Sequence, residues 1–413
     1  MKDVEIFNLI KKEEARQENT INLIASENYV SKQVLEALGS VLTNKYSEGY
    51  SGKRYYGGNF YIDKIEELCQ KRALKLFGLS EEKWSVNVQP YSGSPANLAV
   101  YSALVPLGEK IMGMELAMGG HLTHGHKVSF SGKAWKQIPF GVNKKTEMLD
   151  YGELLRIAKR EKPKLIVCGF TAYSRKIDFK KFRQIADSAG AYLMADIAHI
   201  AGLIAGKAYP SPFAYADIVT TTTHKTLRGP RGAIIFSRRI KSQISNLKIN
   251  ELIDKAVFPG MQGGPHNHQT VAIAVCLKEA MSPDFKKYAK QIILNARALA
   301  QELKNRGWRI VSGGTDSHLF LVDVFKKGIT GKEAEELLEE AGIIVNKNAI
   351  PFDERSPFNP SGIRIGVPAI TTRGMKEKEM KIIAGLIDGI LKKELKTSEV
   401  KKRVEKLCQK FPL

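Results

Sequence analysis

Cysteine is scarce: Cys69, Cys168, Cys276 and Cys408 are the four in 413 residues, lying far apart and never as CxxC. That spacing excludes a disulfide framework or a zinc finger and points to a reducing, cytoplasmic compartment. A secretion signal is not expected, because the opening run MKDVEIFNLIKKEEARQEN is charged throughout and has no apolar centre. The most apolar stretch, 189–206, is interrupted by Asp196 and His199, which makes it a poor membrane span, so no membrane partner is expected. Repeats, low-complexity tracts and long Gly/Ser or Pro linkers are also missing. Acidic residues are outnumbered, 43 against 64 Lys and Arg, for a formal charge of +21. Such a balance suits polyanions. Yet the chain has no RNP-like aromatic motif, arginine-rich arm or basic-region heptad, and in stretches such as 376–396 glutamates interleave with the lysines. The pattern reads as a solvated basic face with no nucleic-acid partner, and attraction of a polyanionic substrate is the functional alternative.

With 43% hydrophobic and 26% charged residues, what is present is ordinary for a globular protein able to bury a large core. The middle of the chain reads as α/β. Short apolar runs at 163–170, 191–196, 216–223 and 232–237 have strand character. Between the first two, Phe179, Phe182, Ile185 and Ala186 have helical spacing, with Asp178 as N-cap and Gly190 just past the end. Apolar strands alternating with helices imply a mostly parallel sheet covered by helices. After about residue 280 the texture changes: helical stretches near 284–306 and 332–341 alternate with strand-like segments at 318–324 and 343–346, and a long charged helical stretch follows from about 374. The expected organisation is an N-terminal arm (1–36), a large domain (37–280) and a smaller α+β domain (281–413).

Polar residues at strand ends carry the chemistry. Asp196 closes one strand with His199 three residues on, and His224 and Lys225 close another. Singly, each has an ordinary role: a carboxylate after a strand caps a helix, and a Thr-rich strand ending in His-Lys runs out to solvent. Together, on neighbouring strands whose carboxyl ends form the ligand side of an open sheet, they bring a carboxylate, two imidazoles and an amine to one rim. That set suits pyridoxal phosphate. A lysine must be uncharged to form an imine, which partial burial favours. A carboxylate facing the pyridine nitrogen keeps it protonated, so that the ring withdraws electrons. Ser92, Gly93 and Ser94, ahead of Pro95 and a helix over 96–104, offer a cradle for the phosphate, although serine is equally a plain helix cap. The glycine run at 260–264 is either a second close approach to phosphate or a loop. His121, His124 and His126 have no nearby carboxylate or cysteine in sequence, so no metal is expected. An imidazole stacked on a flat ring is the functional alternative to a core histidine.

Over nearly its whole length the sequence resembles the serine hydroxymethyltransferase family, within the aspartate-aminotransferase-like class of pyridoxal-phosphate enzymes. The resemblance rests on LIASENYVS (23–31), LTNKYSEGYSGKRYYGGN (42–59), SGSPANLAVY (92–101), GGHLTHG (119–125), AYLMADIAHIAGL (191–203), TTTTHKTLRGPRG (220–232), FPGMQGGP (258–265), SGGTDSHLFLVD (312–323) and SGIRIGVPA (361–369). TNKYSEGY and TTTTHKTLRGPRG are the most family-specific of these.

The resemblance implies pyridoxal 5'-phosphate held covalently on Lys225, with Asp196 on the pyridine nitrogen, His199 near the ring oxygen and His121 stacked on the ring. It implies a phosphate cradle of Ser92, Gly93 and Ser94, with Tyr46, Gly263 and Gly264 contributed across a homodimer interface. Arg364 and Ser26 resemble the clamp on the substrate carboxylate, with Tyr56 nearby, and a guanidinium matches that planar anion in bidentate fashion. Glu48 is similar to the family's acid/base carboxylate, His224 and Arg231 accompany the lysine, and Leu116, Gly120 and Asn348 resemble folate contacts. Departures are small: Thr171 stands where serine is common, keeping a hydroxyl for the cofactor, and Val367 where threonine is frequent. The implied reaction is reversible transfer of the hydroxymethyl carbon of L-serine to tetrahydrofolate, giving glycine and 5,10-methylenetetrahydrofolate. The alternative is a folate-independent aldolase acting on β-hydroxy amino acids. The implied assembly is a homodimer with a shared active site, or a tetramer of such dimers.

Overall fold

The computed structural model describes residues 3–413. Its chain divides into two compact units: Val30–Lys290, and the segment ending at Tyr29 together with Gln291–Leu413.

In the larger unit, seven strands build the central sheet. They are β1 (Trp84–Asn87), β2 (Lys110–Met114), β3 (Lys136–Phe140), β4 (Leu165–Cys168), β5 (Tyr192–Asp196), β6 (Ile218–Thr222) and β7 (Ala233–Arg238). Their spatial order is β1-β7-β6-β5-β4-β2-β3. From β6 across to β3 all neighbours are parallel, as the alternation of strands and helices predicts. β7 runs antiparallel to both β6 and β1. The reason is the short link 223–232, which turns the chain straight back where a parallel return needs a long crossover. Every residue of β4 and β6 is buried, the signature of strands covered on both faces.

Three helices of this unit matter below: α1 (Phe60–Phe77), α2 (Gly93–Leu104) and α3 (Phe179–Ala189). α3 begins where its sequence predicts, with the Asp178 carboxylate accepting the Lys181 backbone N–H, and it ends on Gly190 in the left-handed conformation. Its Phe182 is fully buried, with ring centroids 6.2 Å from Phe140 and 6.4 Å from Phe170. α2 buries Ala96, Ala99, Val100 and Leu104 in a core with Ile111, Val167, Met194 and Ile218.

In the smaller unit, β8 (Arg309–Ile310), β9 (Leu319–Asp323), β10 (Asn346–Asn348) and β11 (Gly362–Gly366) form an antiparallel sheet in the order β8-β9-β11-β10. The N-terminal chain joins this unit: Ile21–Asn22 pairs in parallel with Ile343–Ile344, and the Gly366 N–H donates to the Leu23 carbonyl at 2.8 Å. The charged C-terminal stretch is two helices, Glu377–Leu391 and Thr397–Lys410, separated by a turn at Lys393 with φ of 58°. Among the described residues no helix is long and apolar enough to cross a membrane.

Candidate active site

β5 and β6 are neighbours, with Asp196 paired to Thr220, so the residues that close them share one rim of the sheet. Asp196 ends β5 and collects three donors. Its Oδ2 accepts from Asn97 Nδ2 at 2.9 Å and from His124 Nε2 at 3.1 Å, and its Oδ1 accepts the Ala198 N–H at 3.1 Å. Gly169, just past β4 with φ of 136°, allows this crowding, because a Cβ there would lie 1.8 Å from the Asp196 carbonyl oxygen.

The hydrogen bonds assign protons. The His121 backbone N–H donates to His124 Nδ1 at 3.3 Å, which leaves the His124 ring proton on Nε2 and aims it at Asp196. Asn97, buried on α2, accepts from Thr220 Oγ1 at 2.8 Å and donates both to Asp196 and to Thr123 Oγ1, the latter at 2.9 Å. The Thr123 backbone N–H donates to His121 Nδ1 at 3.2 Å, so this nitrogen is an acceptor and the Thr123 hydroxyl donates to it as well, at 2.8 Å. Burial by itself would raise the Asp196 carboxyl, yet the hydrogen bond from His124, then the charges of His124 and His121, then the hydrogen bond from Asn97 hold it well below the ordinary carboxylate range. Asp196 is therefore a charged carboxylate in a nearly dry setting.

Past the end of β6, Lys225 is buried. Beside it, burial first, then the charges of Lys225 and Arg231, push His224 down to about 3, so its imidazole is neutral at ordinary pH. His224 Nδ1 is buried and has no hydrogen-bond partner among the described residues. His199 is buried too, its carbonyl accepting from Thr226 Oγ1 at 2.9 Å. Ser92 is the N-cap of α2 but makes no side-chain capping bond, so its hydroxyl is not committed to the helix. Among the described residues no cluster of His, Cys, Asp and Glu has the makings of a metal site.

A family model described as serine hydroxymethyltransferase matches residues 1–387. The chain belongs to that family. It is thus a pyridoxal-phosphate-dependent transferase of serine and glycine in one-carbon metabolism. Its rim fits the cofactor chemically: a buried lysine, a largely covered carboxylate kept charged, an orphaned imidazole nitrogen and a helix start with an uncommitted serine meet the needs of an aldehyde, a pyridine nitrogen and a phosphate.

The remaining residues that the hydroxymethyltransferase resemblance singles out fall into three groups. Thr171 and Ala172 donate backbone N–H groups to the Gly119 carbonyl at 2.9 and 3.1 Å, which ties Thr171 to the turn carrying Leu116 and Gly120. Tyr46, Glu48, Gly263 and Gly264 gather in the second group. The Tyr46 hydroxyl donates to Glu48 Oε1 at 2.8 Å, and a Cβ on Gly263 would sit 3.1 Å from that same oxygen. Tyr91, next to Ser92, donates its hydroxyl to the Gly264 carbonyl at 2.7 Å, and Tyr56 packs edge-on to Tyr46 at 5.2 Å. Arg364, Asn348 and Ser26 belong to the smaller unit. Arg364 sits in β11 opposite Asn346, to whose Oδ1 its Nε donates at 3.0 Å, and burial lowers the guanidinium to about 10, still charged at neutral pH. The segment preceding Ser26 lies against the same strand, since a Cβ on Gly366 would come within 2.3 Å of Ala25 Cα.

Asn97, Thr123 and Thr220 are not singled out by sequence, and His124 stands out there only as a member of the histidine cluster. A signal existed for two of them: Asn97 lies in SGSPAN on the buried face of a helix, and His124 lies three residues from His121.

Proposed function

We propose that the chain catalyses reversible transfer of the hydroxymethyl carbon of L-serine to tetrahydrofolate, yielding glycine and 5,10-methylenetetrahydrofolate. The observation that carries the reading is the charged, triply hydrogen-bonded Asp196 at the end of β5, with the buried Lys225 past the end of the neighbouring β6, in a chain of this family. When bound, pyridoxal phosphate withdraws electrons from the α-carbon of the amino acid and so weakens its bond to the hydroxymethyl group.

The protein's own groups do the rest. Lys225 holds the cofactor covalently and Asp196 keeps a proton on its pyridine nitrogen. Ser92, Gly93 and Ser94 cradle its phosphate, with Tyr46, Gly263 and Gly264 supplied across a homodimer interface. His121 stacks on the ring, with its proton fixed on Nε2 by Thr123, while His199 faces the ring oxygen and Thr171 offers the cofactor a hydroxyl. Arg364, Ser26 and Tyr56 bind and orient the substrate carboxylate. Glu48 takes the proton from the serine hydroxyl and returns it in the reverse direction. His224, held neutral, and Arg231 accompany the lysine. Leu116, Gly120 and Asn348 contact the folate, and the enzyme works in the cytoplasm.

The test is the visible spectrum of the purified protein. Glycine should change it, and tetrahydrofolate added with glycine should enlarge that change. A response to glycine that is indifferent to folate would replace this reading with the folate-independent aldolase.

A further inference from the structure

Residues 45–48 have no regular secondary structure, yet every backbone carbonyl from Lys45 to Gly49 accepts a hydrogen bond. The Lys45 carbonyl takes Asn267 Nδ2 at 2.7 Å, the Tyr46 carbonyl takes Lys45 Nζ at 2.8 Å, and the Glu48 carbonyl takes the Tyr55 N–H at 3.0 Å. The two carbonyls flanking Glu48, those of Ser47 and Gly49, both accept from Arg54 Nη1, at 3.0 and 2.6 Å. Gln89 Nε2 adds a second donor to Gly49 at 3.0 Å.

Arg54 reaches this position through a tight hairpin. Gly49–Tyr50 pairs antiparallel with Lys53–Arg54, Gly49 opposite Arg54. Gly49 has φ of 94°, and a Cβ there would lie 2.4 Å from the Lys53 carbonyl oxygen, so the turn depends on glycine. The guanidinium is held from behind by α1: its Nε donates to Asp63 Oδ1 at 2.8 Å and its Nη2 to Glu66 Oε2 at 2.9 Å, and only 3% of the side chain is exposed. Gln89 Nε2 also donates to Glu66, at 3.0 Å. A fork of fixed donors spans two carbonyls and two carboxylates at once, which a lysine ammonium cannot do.

We infer that Arg54, braced by Asp63 and Glu66, is a positioning residue for Glu48: it fixes the 47–48 and 49–50 peptide units that flank this residue and so sets where its proton is taken and delivered. The inference rests on the acid/base role proposed for Glu48. A loose loop would satisfy these carbonyls with water and let Glu48 wander. Displacing a reacting group by about 1 Å costs on the order of a hundredfold in rate.

The experiment is a double-mutant cycle on the holoenzyme with serine and tetrahydrofolate. Arg54→Lys should lower kcat by about 10- to 100-fold, with the KM for serine nearly unchanged and the cofactor absorption intact. In a Glu48→Gln background the same substitution should change kcat by less than about twofold. Gln89→Leu, which removes one donor and no charge, should follow the same pattern more mildly and serves where Arg54→Lys does not fold. Hydrogen exchange should quicken in 45–56 and not elsewhere. Equal losses in both backgrounds would overturn the inference while leaving the role of Glu48 standing. A Glu48→Gln enzyme of full kcat would remove that role and the inference together.

Discussion

Replacing Asn97 by aspartate converts a donor to Asp196 into a like charge with almost no change of shape. The Asn97 Nδ2 and Asp196 Oδ2 atoms are 2.9 Å apart. Two ionised carboxylates at that spacing repel by about 6 kcal/mol at an effective dielectric of ~20. At about 1.4 kcal/mol per pH unit, that keeps one proton on the pair up to roughly pH 8. An unfolded aspartate loses its proton near pH ~4, so between these limits the folded variant binds a proton that the unfolded chain does not. The folded pKa is raised for an acid, so the sign is fixed. Stability relative to the wild type is highest below about pH 4 and falls by about 1.4 kcal/mol per unit until about pH 8, then levels off. Asn97→Ala loses the donated hydrogen bonds, and the one accepted from Thr220 as well, without adding charge, so its deficit should be flat over the range. The assay is urea unfolding at fixed ionic strength from pH 5 to 9 for the three proteins. Parallel curves for Asn97→Asp and Asn97→Ala would refute the contact between Asn97 and Asp196 and the proton assignments built on it.

Other expectations follow from single groups. His224 falls from 6.5 to about 3 on folding; a base with a depressed folded pKa costs stability as pH drops from 6.5 towards 3, so His224→Gln should resist acid unfolding better than the wild type, and equal acid midpoints would contradict this. Arg364→Lys should weaken glycine binding about 10- to 100-fold, the worth of a lost charged hydrogen bond of roughly 1.5–3 kcal/mol, by spectral titration. Lys225→Ala should lose the visible absorption of covalently held cofactor while its circular dichroism stays that of the wild type. Retention of that absorption would sink the assignment of Lys225.

Much of this architecture was legible in the sequence because it is encoded locally. Asp178 and Gly190 mark the ends of α3 through bonds to residues three or four positions away, and the buried strand β4 announces itself as an unbroken apolar run. The direction of β7 was not legible, since it depends on how short the link from β6 is and not on any residue within the strand. The same holds at the site. Asp196 and Lys225 could be placed on one rim because each closes a recognisable strand. Asn97 binds a partner 99 positions away, and Arg54 lies within a quoted motif but works through backbone carbonyls, which no side-chain pattern records. Residues that act by holding other residues leave little periodic trace.

The parallel pairing of Ile21–Asn22 with Ile343–Ile344 has a consequence during synthesis. The first strand of the smaller unit leaves the ribosome before any of the larger unit, and its partner follows only after Val30–Lys290 is complete. At about 5–20 residues per second, the stretch from Lys290 to Ile343 takes roughly 3–11 s to appear. During that interval the larger unit has all its strands while the leading segment, with the apolar side chains Val4, Ile6, Phe7, Leu9 and Ile10 exposed even in the finished fold, has no sheet to join. The pairing thus closes only after the larger unit is made, and a nascent chain stalled before Ile343 would display that segment to chaperones and proteases.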